Sequence, residues 1–147
     1  MTFSESMDEL ARTAGIGPVA TDEEGGVTLL FDGEHEVTFS PAPDGGILFL
    51  CEVGDADRLG EGACRALLEA SFSGTGGAAF AIRRDLGKVI LWTRHGPFAS
   101  SAGLERAVND FLGHAIAWKK RLADGDLVAA ADATPNAPFL SPDIQMI

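Results

Sequence analysis

Residues 27–53 read VTLLFDGEHEVTFSPAPDGGILFLCEV, and the fold is decided there. Asp32-Gly33 separates two apolar-rich runs, Val27 to Phe31 and Glu34 to Ser40, and an Asp-Gly pair suits the type I′ turn of a tight hairpin. Pro41, Pro43 and Asp44-Gly45-Gly46 then make a longer turn into a third run, Ile47 to Val53. The second run alternates through Val37 and Phe39, as a strand with one wet face does. The third is apolar at nearly every position, so Leu48 and Leu50 need cover as much as Ile47 and Phe49 do. A sheet built on such a strand is not expected to leave one side simply solvated.

Working outward, Thr2 to Ala14 reads as a helix. Thr2 and Glu5 have capping-box spacing, and Phe3, Met7, Leu10 and Ala14 recur on one face. Gly15-Ile16 suits a left-handed C-terminal cap, and Gly17-Pro18 stops the helix. On the other side, Asp57 is a candidate cap for a second helix from about Arg58 to Phe72, with Cys64, Leu67, Leu68 and Phe72 apolar. Gly60 and Gly62 weaken its first turns by about 1 kcal/mol each relative to alanine, so it must be held by packing. A Gly-rich turn, Ser73 to Gly77, leads to a second hairpin: Ala78 to Ile82, a turn at Asp85-Leu86-Gly87, then Lys88 to Thr93. A last helix starts at Ser101 and carries Leu104, Val108, Phe111, Ala115, Trp118 and Leu122 on one stripe. Lys119, Lys120 and Arg121 fall in its last turn, where the helix dipole favours cations. The order α-β-β-β-α-β-β-α specifies an α+β domain, residues 1–123, with a mostly antiparallel, twisted sheet flanked by helices. Residues 124–147 hold four Asp, three Pro, an Ala-rich run and no basic residue, the composition of an acidic tail.

The 147 residues carry 22 acidic against 11 basic side chains, a net charge of −11, and such a surface repels nucleic-acid phosphates and anionic lipid heads. Neither nucleic acid nor membrane is therefore an expected partner. Met1 to Leu10 has no basic or apolar region of a signal peptide, and the run Ile47 to Cys51 is too short to span a bilayer. A cytoplasmic location is expected. Cys51 and Cys64 read as small core hydrophobes rather than a disulfide or a nucleophile. The Gly74 to Gly77 loop precedes a strand instead of opening a helix and lacks a following Lys-Ser/Thr, so it reads as a tight turn, not a phosphate cradle. His35, His95 and His114 have no partner at metal-ligand spacing, and no nucleophile-elbow serine occurs. No catalysis, cofactor or metal is expected. What remains is apolar surface: Leu48 and Leu50, the Phe3/Met7/Leu10 stripe and the Leu67/Leu68/Phe72 stripe. Together with the acidic exterior they suggest a dimer that also holds apolar segments of another chain.

From Met7 to Leu122 the chain resembles the Tir-chaperone family, the small acidic chaperones of bacterial type III secretion. The resemblance lies in the order of elements and in four stretches: Leu67-Leu68-Glu69-Ala70-Ser71-Phe72, Gly77-Ala78-Ala79-Phe80-Ala81-Ile82, Gly87-Lys88-Val89-Ile90-Leu91-Trp92, and the last helix through Phe111-Leu112 and Ala117 to Leu122. It implies a cytoplasmic homodimer without enzymatic activity or cofactor. Its partner would be a secreted effector whose N-terminal segment wraps the dimer in extended form, with the secretion ATPase as a further partner. It places Phe3, Met7, Leu10, Leu29, Phe31, Val37 and Phe39 in effector-binding grooves, and Leu67, Leu68 and Phe72 in the subunit contact. Gly60, Gly62 and the tail depart from the family pattern. The alternatives are a dimeric adaptor of the same fold outside secretion, of the YbjN-like group, and a small ligand-binding protein using the Gly74 to Gly77 turn.

Overall fold

A computed structural model describes residues 1–15 and 21–125. The first helix, α1 (Phe3–Ala14), is fixed at both ends by local chemistry. The Thr2 hydroxyl accepts from the Glu5 amide at 3.1 Å while the Glu5 carboxylate accepts from the Thr2 amide at 3.1 Å, which completes the expected capping box. Gly15 closes the helix in the left-handed region, as expected. Its continuation, Ile16 to Pro18, lies outside the described residues. Strands β1 (Val27–Phe31) and β2 (His35–Pro41) are joined by Asp32, Gly33 and Glu34, the first two at φ 54° and 68°, and the register Phe31↔His35 makes the loop one residue longer than the expected two-residue hairpin. Both values are positive, as a type I′ turn requires and as Asp-Gly tolerates best.

β3 (Ile47–Asp55) follows, then a single 3₁₀ turn (Ala56–Arg58), α2 (Glu61–Ser73), β4 (Ala79–Arg83), β5 (Lys88–His95) and α3 (Ser101–Asp124). Among the described residues the strands form one antiparallel sheet in the order β1-β2-β3-β5-β4. The α+β architecture is as expected. The second helix starts later than its candidate cap: Asp57 lies in the 3₁₀ turn, and Gly60 is the N-cap, without a side-chain bond. Gly62 falls within the first turn, where it weakens the helix, and packing of Ala63, Ala66 and Leu67 on the core holds it. α3 runs through Asp124 and ends at a left-handed Gly125. From residue 126 the expected tail lies outside the described residues.

One face of the sheet is dry. Val27, Leu29, Val37, Phe39, Ile47, Phe49, Cys51, Val53, Val89 and Leu91 are buried in one core with α1 and α3. Phe49 stands at its centre, its ring 5.0 Å from Phe39 and 5.7 Å from Phe111, both edge-on. Trp118 is edge-on to Phe80 at 4.9 Å, and its indole N–H donates to the Gly74 carbonyl at 3.4 Å. Five of the six expected α3 stripe residues are buried, with Leu122 at the margin over Gly54. Leu112 is buried as well, because α3 packs on α1 in addition to β3.

α2 lies along the β4 edge, where the Ser71 hydroxyl donates to the Leu67 carbonyl and accepts from the Phe80 amide. It thereby satisfies a strand-edge donor that would otherwise face outward. The Gly-rich turn is a packing device. Gly76 has φ 63°, and a Cβ there would lie 2.4 Å from His114 Nε2, so a side chain is excluded twice over.

Candidate protein-binding surfaces

Met7, Leu10, Leu29, Val37 and Phe39 are 0–5% exposed. This corrects their expected place in an open groove between the first helix and the sheet: α1 fills that groove with its own stripe, docked on α3 and β1. Phe3 and Phe31 are half-buried at the margin of the same core. Periodicity had marked the right helix face, but the cover is supplied by the chain itself.

The second helix divides the other expected set. Leu67 points into the core, whereas Leu68 is 72% and Phe72 94% exposed. Neighbouring helix positions diverge by about 100°, so a Leu-Leu pair cannot share a face. Cys64, Leu68 and Phe72 follow one another at i, i+4 and i+8 and form one stripe. Glu61 and Arg65, 3.7 Å apart, flank it. Ile82 on β4 and Leu86 in the following turn, about half exposed, add to the apolar surface at this end of the sheet. Neither was singled out from sequence. Ile82 pairs with Val89, and only its edge-strand position leaves it uncovered.

A second apolar area lies on the face of the sheet away from α1 and α3. Register brings Leu48 beside Ser40 and Arg94, Leu50 between Thr38 and Trp92, and Leu30 beside Glu36. Leu48 and Leu50 are half-buried, Ile90 is buried, and Leu30 and Trp92 remain exposed. The expectation that Leu48 and Leu50 need cover is therefore met only in part by in-plane neighbours. The Thr28 and Thr38 hydroxyls, 2.9 Å apart, supply a polar strip on this face.

Exposed ion pairs rim these areas: Lys88 with Asp55 at 2.5 Å, Arg94 with Asp44 at 2.7 Å, and Arg83 with Asp85 at 2.8 Å. Each cation hydrogen-bonds its carboxylate and holds it below the usual Asp range. Burial pushes the Cys51 thiol up, opposite to what a nucleophile needs. The His95 ring lies tilted against Phe49 and Phe98, 4.6 and 5.4 Å between centroids, and burial lowers it and His114 below the ordinary imidazole value. The Thr75 hydroxyl is committed to the Ala78 carbonyl. Among the described residues no three His, Cys, Asp or Glu converge as metal ligands, and no helix is long and apolar enough to cross a membrane. The chemistry on offer is apolar contact and strand pairing.

A family model described as the Tir chaperone protein (CesT) family matches residues 6–119. A chain in the crystal structure of the ExsC–ExsE complex is 28% identical, with a TM-score of 0.69 over 83% of this chain and 97% of that one. A chain in the HopA1–SchA chaperone–effector complex is 11% identical, with a TM-score of 0.65 over 83% of this chain and 93% of that one. One in the heterodimeric ExoU–SpcU complex from the type III secretion system of Pseudomonas aeruginosa is 23% identical, with a TM-score of 0.50 over 84% and 94%. The last two likenesses are of fold alone. No curated protein sequence matches the chain.

Proposed function

The chain belongs to the Tir chaperone (CesT) family, and on that premise we propose that it is a homodimeric chaperone for a type III secreted effector. It holds the effector's N-terminal segment in extended form, soluble and ready for hand-over to the secretion ATPase in the bacterial cytoplasm. It does so by binding, without catalysis or cofactor.

The observation that carries this reading is Phe72, an aromatic side chain 94% exposed on a subunit whose core is otherwise closed. With Leu68 one turn away it forms an apolar stripe, and a two-fold partner presenting the same stripe buries both. Each side chain so buried contributes about 1.5–3 kcal/mol, and a dimer buries two copies of each. In this reading the subunit contact consists of Leu68, Phe72, Ile82 and Leu86, with Leu67 supporting it from within the core. The client-facing residues are those the subunit leaves open: Leu30 and Trp92 on the outer sheet face, over half-buried Leu48 and Leu50. Of the expected groove set, Phe3 and Phe31 stay within a client's reach. Met7, Leu10, Leu29, Val37 and Phe39 act as the floor beneath.

An unfolded client gives up chain entropy on binding, so a broad apolar surface and main-chain pairing are what a holder must offer. A net charge of −11 per chain keeps that surface from self-aggregation. Co-expression with a tagged effector, followed by affinity capture and size-exclusion chromatography, tests the proposal. The full chain should elute with the effector at a mass above twice 15.3 kDa. A lone 15.3 kDa species that no effector retains would overturn it.

A further inference from the structure

β2 and β3 do not stay together. They pair from Thr38↔Leu50 to Pro41↔Ile47, while β2 remains paired to β1 down to His35 and β3 to β5 up to Asp55. Had the β2–β3 register continued, Glu36 would stand opposite Glu52. Like charges directly opposite one another repel, and the strands part there. Part of the β3 edge, Cys51–Asp55, therefore has no paired strand on its β2 side among the described residues. Beside it opens a concavity of about 810 Å³, lined among others by Leu30, Leu50 and Ile90, by Glu36 and Glu52, and by Lys119 of α3. Six carboxylates line it against three basic side chains. Two of those bases are already paired, Lys88 with Asp55 and Arg83 with Asp85. Glu36 and Glu52 are both exposed.

We propose that this wedge is a docking slot for a basic, extended segment of the client: the segment adds a strand along Cys51–Asp55 and sets a Lys or Arg between Glu36 and Glu52. The proposal rests on the chaperone reading above and deepens it by naming the chemistry of one client segment. Alternation fits, since a strand lying there sends every second side chain to the acidic outer mouth and the others toward Cys51, Val53 and the aliphatic stem of Lys119. Charge selects the occupant. Residues 126–147 of the same chain carry three Asp and no Lys or Arg, and a second copy brings a net charge of −11. Both are of the wrong sign.

The test uses the full chain and two labelled octapeptides, one alternating valine with arginine, the other valine with glutamate. Fluorescence anisotropy should show binding of the basic peptide, weakened by salt, and none of the acidic one. Hydrogen exchange should slow at Cys51–Asp55 when the basic peptide is present. The double variant Glu36→Gln/Glu52→Gln should lose about three- to tenfold in affinity for it, two cross-strand ion pairs being removed. Equal binding of both peptides, an undiminished double variant, or protection confined to other segments would overturn the slot. So would protection, without peptide, of those Cys51–Asp55 amides that do not point to β5, which would mean that the chain's own residues or a second copy fill the slot. A wild-type chain that fails to retain any effector tells against the chaperone reading instead, and leaves the slot to be decided by the peptides.

Discussion

Replacing Phe72 by aspartate should separate the subunits and leave each one folded. In the single chain Phe72 touches little, being 94% exposed, so its loss should change the stability of the isolated subunit by no more than about 0.5 kcal/mol, as at other open surface positions. In the proposed dimer the same ring is buried twice. Removing two buried phenylalanines forfeits about 3–6 kcal/mol of apolar burial, which corresponds to a dissociation constant raised about 10²- to 10⁴-fold. The carboxylate adds a desolvation penalty on top, because aspartate in a closed apolar contact has no partner. Sedimentation velocity across a concentration series reads the dissociation constant, and circular dichroism at low concentration reads the fold. Leu67→Asp is the contrasting change: Leu67 is 4% exposed, and a charge there should unfold the subunit. If Phe72→Asp sediments as the wild type does, α2 is not the subunit contact. If it unfolds the isolated chain, Phe72 has a role within the subunit that the structure does not contain.

Met7→Glu and Leu10→Glu should lower the thermal midpoint steeply, because both side chains are interior; Leu10→Ala alone should cost about 2–5 kcal/mol in a urea titration. A stable, dimeric Met7→Glu that loses its client would instead restore the groove between the first helix and the sheet. Gly76→Ala should destabilise by more than about 1 kcal/mol, since it strains a positive φ and drives a methyl into His114; a Gly76→Ala melt coincident with wild type would refute that packing. Stability should also fall on acidification in two stages. Between about pH 7 and 5 the unfolded chain takes up protons that half-buried His95 and His114 resist, so their depressed values weaken folding as pH drops, and the double variant His95→Phe/His114→Gln should flatten this stage. Below about pH 4 the lowered carboxylates Asp44, Asp55 and Asp85 give up the stability that they hold above the unfolded Asp value, and Asp44→Asn/Asp55→Asn should blunt that loss.

Local chemistry was legible in the chain wherever it acts alone. The Thr2–Glu5 capping box, the Asp32-Gly33 hairpin and the α3 stripe depend on neighbours within a turn or two, and each stands where the residues placed it. Exposure is another matter. The stripes of α1 and α2 look alike in sequence, yet Met7 and Leu10 meet α3 and the sheet while Leu68 and Phe72 meet solvent. What decides between them is which element the topology sets beside each helix, a non-local fact that periodicity does not carry. The β2–β3 wedge was illegible for the same reason, because the register that the Ala42 to Gly46 turn imposes ends at Thr38↔Leu50, short of Glu36 and Glu52. Asp57 does not cap α2, because the chain makes a 3₁₀ turn there and Gly60 takes the N-cap, so the helix starts at Glu61.

Native mass spectrometry of the chain co-purified with a candidate effector tests the central claim most directly. The proposed function requires two copies of this 147-residue chain on one effector. A single copy, with or without a client, would contradict it.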